Sequence, residues 1–152
     1  MKNPKNSKKT DWIWLMAGLT VTALFLIFST SVYELLYYDG EFSNEMYNKN
    51  MYLVVAGLTS LVVWSTAILY YWIIDHFERW YHWLVAVVLV VVLSPVVVFS
   101  HCAGYFYDSN LDELISPLVN FNIINTIVAL VLFFIVCLSV KHLSRHCSST
   151  PF

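Results

Sequence analysis

The sequence predicts an all-α integral membrane protein, a bundle of four transmembrane helices with both termini in the cytoplasm. Three observations predict it. First, 59% of the 152 residues are hydrophobic, 17% aromatic and only 12% charged, whereas a soluble domain averages about 45–50% apolar and about 25% charged residues. Mean hydropathy is +0.67, and 4 glycines and 4 prolines are too few for a collagen-like or low-complexity chain. Second, four apolar stretches reach the roughly 20 residues that a helix needs to cross about 30 Å of hydrocarbon. None carries a charged residue or histidine in its interior. Third, the basic residues are sorted by side.

The first span is expected at about 12–33, after a polar tail, 1–11, that is expected to be disordered. Lys2, Lys5, Lys8 and Lys9 precede the apolar run as in a signal peptide. The run exceeds the roughly 7–15 residues of a signal-peptide core, so it reads as a retained helix. In the loop 34–50, Asp39-Gly40 breaks the chain and Ser43 is placed to cap a helix from Asn44. That helix is expected to continue unbroken into the second span, about 51–74, which a tight link, 75–79, joins to the third.

The third span, about 80–100, contains Val85–Leu93 (VAVVLVVVL). Such β-branched runs are poor helix formers in water, but lipid leaves the backbone no partner outside the helix. Ser94-Pro95 predicts a kink, because Pro95 removes a backbone bond and crowds the preceding turn. In the loop 101–117, Asp108 or Ser109 is expected to cap a short helix holding Leu111, Asp112, Leu114 and Ile115, with capping-box spacing from Ser109 to Asp112. Pro117 then opens the fourth span, about 118–140, where a first turn tolerates proline. A tail, 141–152, follows. The chain reads as one domain without internal repeats.

Orientation follows from the positive-inside rule. Lys2, Lys5, Lys8, Lys9, Arg79, Lys141 and Arg145 fall on one side and only Lys49 on the other. The acidic residues mirror this, with Glu34, Asp39, Glu41, Glu45, Asp108, Asp112 and Glu113 on the far side and Asp11, Asp75 and Glu78 with the lysines. A formal net charge of −2 thus conceals a polarised molecule. Trp and Tyr residues cluster at the span ends, as interfacial belts do.

The functional signals are sparse. Gly18 with Thr22, and Ala56 with Ser60, have small-xxx-small spacing for close helix packing, and Gly57 lies beside the second pair. Asn125 is deep in its span and is expected to hydrogen-bond across helices. His76, His82, His142 and His146 are the candidate metal ligands, with His142 and His146 on one helical face at i, i+4. Their spacing is too loose to imply a site, and no metal or cofactor is expected. Cys102, Cys137 and Cys147 contain no C-x-x-C pair, which removes the main sequence support for a disulfide oxidoreductase. No ionisable group lies within the spans, contrary to the usual pattern of pumps and ion-coupled carriers.

These readings favour a non-enzymatic membrane subunit that anchors or scaffolds a larger assembly, such as a bacterial secretion or envelope machine in the inner membrane. Its expected partners are the lipid bilayer and other membrane subunits or copies of itself. Short basic tails do not make a nucleic-acid interface, so none is expected. Glu41, Glu45, Asp108, Asp112 and Glu113 are the candidate docking residues for a basic partner. A small pore-forming, holin-like or toxin-immunity protein is the alternative. A second is an enzyme or carrier for a lipid or quinone, with His76, Arg79 and His82 at the head group.

Overall fold

The structure is a computed structural model that describes residues 4–73 and 80–141, with side chains described at 12–71, 82–111 and 113–141. Among the described residues it is helical throughout and contains no strand. The helices are α1 (Pro4–Ile27), α2 (Ser29–Leu36), α3 (Gly40–Asn48), α4 (Met51–Ile68), α5 (Trp80–Asp108) and α6 (Ile115–Lys141). A π-helical turn, Leu69–Ile73, extends α4, and a 3₁₀ turn, Asp112–Leu114, precedes α6.

Three helical segments are long and apolar enough to cross a membrane: Met51–Tyr71, His82–Asp108 and Ile115–Lys141. The bent pair Trp12–Ile27 and Ser29–Leu36 makes a fourth if the two helices are taken as one span. The first span therefore differs from the expected unbroken helix over 12–33. It turns by 72° at Phe28, which adopts φ −98°, ψ 16° in the bridge region between helix and strand. Bonds from Phe28 N–H to Leu24 O (2.9 Å) and from Val32 N–H to Phe28 O (3.0 Å) flank the bend.

Other boundaries also move. Composition predicts a disordered tail over 1–11, yet α1 begins at Pro4, where a proline at N1 removes only an N–H that the helix leaves unbonded. The helix after Asp39-Gly40 does not run on into the second span. It closes at Asn48, and Asn50 turns left-handed (φ 54°) before α4 starts. Ser43 sits inside α3, and its Oγ accepts the Asp39 N–H at 3.0 Å.

The third span continues to Asp108, two turns past its expected end. It then closes in a Schellman motif. Asn110 is left-handed (φ 55°), its N–H bonds Tyr107 O at 3.1 Å, and Leu111 N–H bonds Phe106 O at 2.8 Å. Those bonds satisfy the helix-end carbonyls, and they replace the short capped helix expected over 111–115 with one 3₁₀ turn. The link 75–79 and the tail beyond Lys141 lie outside the described residues.

α4 and α6 each pack against the other three long helices, so α1 and α5 flank them. Two apolar cores result. One lies at the end that carries both loops, called the cap here, and includes Tyr33, Phe42, Met46, Tyr52, Phe106, Leu118 and Phe121. The other lies toward the opposite end and includes Val63, Trp83, Val90, Phe133 and Val136. Phe121 centres the cap, with ring centroids 5.1 Å from Tyr33, 5.5 Å from Phe42 and 6.0 Å from Tyr52. α5 buries less of its apolar stretch than α4 does, 28% against 50%.

Candidate functional site

Between the two cores lies a layer of polar side chains, one from each long helical segment. On α4 it is Thr59, between Ala56 of the cap core and Val63 of the other. On α5 it is Ser94, between Val98 and Val90, and on α6 Asn125, between Phe121 and Ala129. All three are fully buried. From the bent first segment Tyr33 reaches in. Its hydroxyl donates to Asn125 Oδ1 at 2.6 Å, and the Thr59 hydroxyl donates to the same oxygen at 3.0 Å. The Asn125 amide nitrogen faces Ser94 Oγ at 3.5 Å.

An amide has both acceptor and donor groups, so one Asn serves partners on three other segments at once. Burying it unbonded costs free energy that these contacts offset. One turn toward the cap, Asn122 Nδ2 donates to Pro95 O at 3.0 Å. Pro95 lies inside α5, where the missing N–H weakens the local ladder, and Asn122 ties that stretch to α6. The other hydroxyls within the long apolar helices mostly bond back to their own helix. Thr20, Thr22, Thr66, Thr126 and Ser139 each donate to the carbonyl four residues earlier at 2.8–2.9 Å.

The small residues divide. Gly18 is buried and lies so close to α6 that a Cβ there would stand 2.6 Å from Ser139 Cβ. Thr22, one turn on, accepts the Trp64 indole N–H at 3.1 Å, which joins α1 to α4. Ala56 and Ser60 are buried on α4, while a Cβ at Gly57 would meet nothing within 4 Å. Within the chain Gly57 makes no close packing contact. The spacing rule places these residues on helices but does not say which of them meets a neighbour.

At the cap, three of the five candidate docking carboxylates converge. Glu41 and Glu45 on α3 and Glu113 in the 3₁₀ turn line a cavity of about 540 Å³ with Asn110, Leu111 and Leu114. Glu45 is held by the Tyr105 hydroxyl, which donates to Oε1 at 3.0 Å. Asp108 is exposed at the end of α5 and does not line the cavity. Asp112 contributes its backbone to the 3₁₀ turn. The Glu41–Glu45 spacing places both on one face of α3, but only tertiary structure brings Glu113 opposite them.

Of the candidate metal ligands, His82 is half-buried in the first turn of α5, and His76, His142 and His146 lie outside the described residues. Among the described residues no group of three His, Cys, Asp or Glu side chains is arranged to hold a metal ion. Cys102 and Cys137 are both buried free thiols, one in each core. The cross-helix role of Asn125 is legible in the sequence, but the layer is not: Tyr33 stands at the end of its span among the interfacial Trp and Tyr residues, and nothing in the order of residues sets Ser94 or Thr59 apart from the other hydroxyls within the spans. The chain matches no protein family, no curated protein and no solved structure.

Proposed function

We propose that the chain is an integral membrane protein of four spans that anchors a larger assembly and offers an acidic face to a basic partner. The charge asymmetry supports a topology with the cap on the side away from the cytoplasm and both termini in the cytoplasm. On that reading the polar layer lies in the hydrocarbon, where hydrogen bonds between helices hold a bundle in register. The observation that carries the docking role is the cap cavity. Among the described residues three carboxylates and no Lys or Arg line it, and complementary charge steers and orients association more than it adds affinity.

Purification in mild detergent at low salt tests this. A membrane or periplasmic protein with a basic surface should co-purify in fixed ratio. It should be lost in the Glu41→Gln/Glu45→Gln/Glu113→Gln variant and weakened when salt shortens the reach of charge interactions. A monodisperse, companionless monomer, or a companion that the triple variant retains, would overturn the proposal.

A further inference from the structure

We propose that the first segment is a hinge closed by a latch: Phe28 is the pivot, and the Tyr33 hydroxyl on Asn125 holds α2 folded down onto the bundle. Nothing covalent demands the 72° bend. No proline or glycine lies between Gly18 and Gly40, although sharp kinks usually arise at those residues or at inserted side chains. What the sequence supplies instead is Ser29, Thr30 and Ser31, whose hydroxyls compete for backbone groups and let a helix part without fixing an angle. Local sequence therefore permits both a bent and a continuous helix from Trp12 to Leu36.

The bend is selected by what α2 touches. Tyr33 is fully buried, its ring packs with Phe25, Tyr52 and Phe121 at 5.9, 6.0 and 5.1 Å, and its hydroxyl makes the 2.6 Å bond to Asn125. Ser29 is buried as well, but the far end of α2 is open: Leu35 is 87% exposed and Leu36 50%. The latch is also separable from the layer it joins. Asn125 Oδ1 keeps Thr59 as a donor when Tyr33 leaves, so release does not strand the amide. An apolar groove of about 320 Å³ runs between Val21, Phe25, Val32 and Leu36 on one side and Ile127 to Ile135 of α6 on the other, so this flank of α2 is not packed solid.

The hinge has a lever at the cap. α2 leads through residues 37–39 into α3, which carries Glu41 and Glu45, while the facing wall, Asn110 to Leu114, hangs on α5 and α6. Opening the latch draws α3 and its wall of the acidic cavity outward, and with them Phe42 away from Phe106 and Phe121 and Glu45 away from the Tyr105 hydroxyl. An eight-residue helix is about 12 Å long, so straightening a 72° bend carries its far end by about 14 Å.

The test uses the full chain in phosphatidylcholine nanodiscs, with Cys102, Cys137 and Cys147 replaced by alanine and nitroxide labels at Leu35→Cys and Ile123→Cys. Both label sites are exposed, at 87% and 58%. Pulsed electron paramagnetic resonance should give one narrow distance for the parent. Tyr33→Phe keeps the ring and removes only the latch hydroxyl, and it should add a second population displaced by up to about 14 Å. Thr59→Val removes the other donor to Asn125 and should leave the parent distance unchanged. An unaltered distance in Tyr33→Phe would refute the latch, as would the same second population in Thr59→Val, which would mean a generally loosened layer.

Discussion

At Asn125 one amide oxygen takes two O–H donors, from Tyr33 and Thr59, in a fully buried position. Asn125→Val removes both acceptor bonds and strands those hydroxyls. It should lower unfolding stability in detergent by about 1–3 kcal/mol, read as a lower midpoint in a denaturing-detergent titration. Because the residues share one network, Asn125→Val with Tyr33→Phe should cost less than the sum of the single changes. Gly18 acts through shape. Gly18→Ala drives a methyl against Ser139 and should cost about 1–3 kcal/mol, less in a Ser139→Gly background. At Gly57 the same change meets open space and should stay within about 0.5 kcal/mol of the parent or stabilise it. The two glycines look alike in sequence, since spacing records a helix face but not the distance to the next helix.

Among the elements, the two turns closed by left-handed asparagines show how local chemistry ends a helix. Asn50 and Asn110 both have positive φ, a region that Asn and Gly enter and β-branched residues avoid. Asn110→Gly should unfold at the parent's midpoint or slightly above it, and Asn110→Val should lose roughly 1–2 kcal/mol in the same titration. The turn at Asp39-Gly40 was legible because its residues punctuate a chain in any context. The break at Phe28 was not legible. An unbroken apolar run reads as one straight span, and the bend depends on a ring and hydroxyl meeting α4 and α6 far along the chain. The extension of α5 to Asp108 was hidden for a related reason. The stretch to Ser100 already suffices to cross a bilayer, so the order of residues alone asks for no more helix, but Cys102, Ala103 and Phe106 are buried in the cap core and carry the helix onward.

For the whole molecule, length decides how the bundle meets a bilayer. The bent first segment rises about 24 Å to Ile27 and only about 4 Å more along α2, close to a hydrocarbon thickness of about 30 Å. α5 and α6 exceed that by about 13 and about 10 Å, and their joined ends form part of the cap. Topology has a direct check. On the proposed topology of four spans with both ends in the cytoplasm, green fluorescent protein fused to either terminus should fluoresce, and alkaline phosphatase fused to either should be inactive. Phosphatase activity at one end alone would mean an odd number of crossings.

The sequence by itself determined the all-helical class, the apolar stretches and the sorting of charge. Each follows from composition and order along the chain, through the backbone's need for internal hydrogen bonds in an apolar medium. Tertiary structure alone decided where the first segment bends, that Tyr33, Thr59, Ser94 and Asn125 form one layer, and that Glu113 faces Glu41 and Glu45. Those arrangements join residues as many as 92 positions apart. The energies involved are packing and hydrogen bonds between helices, which no local pattern in a single segment contains.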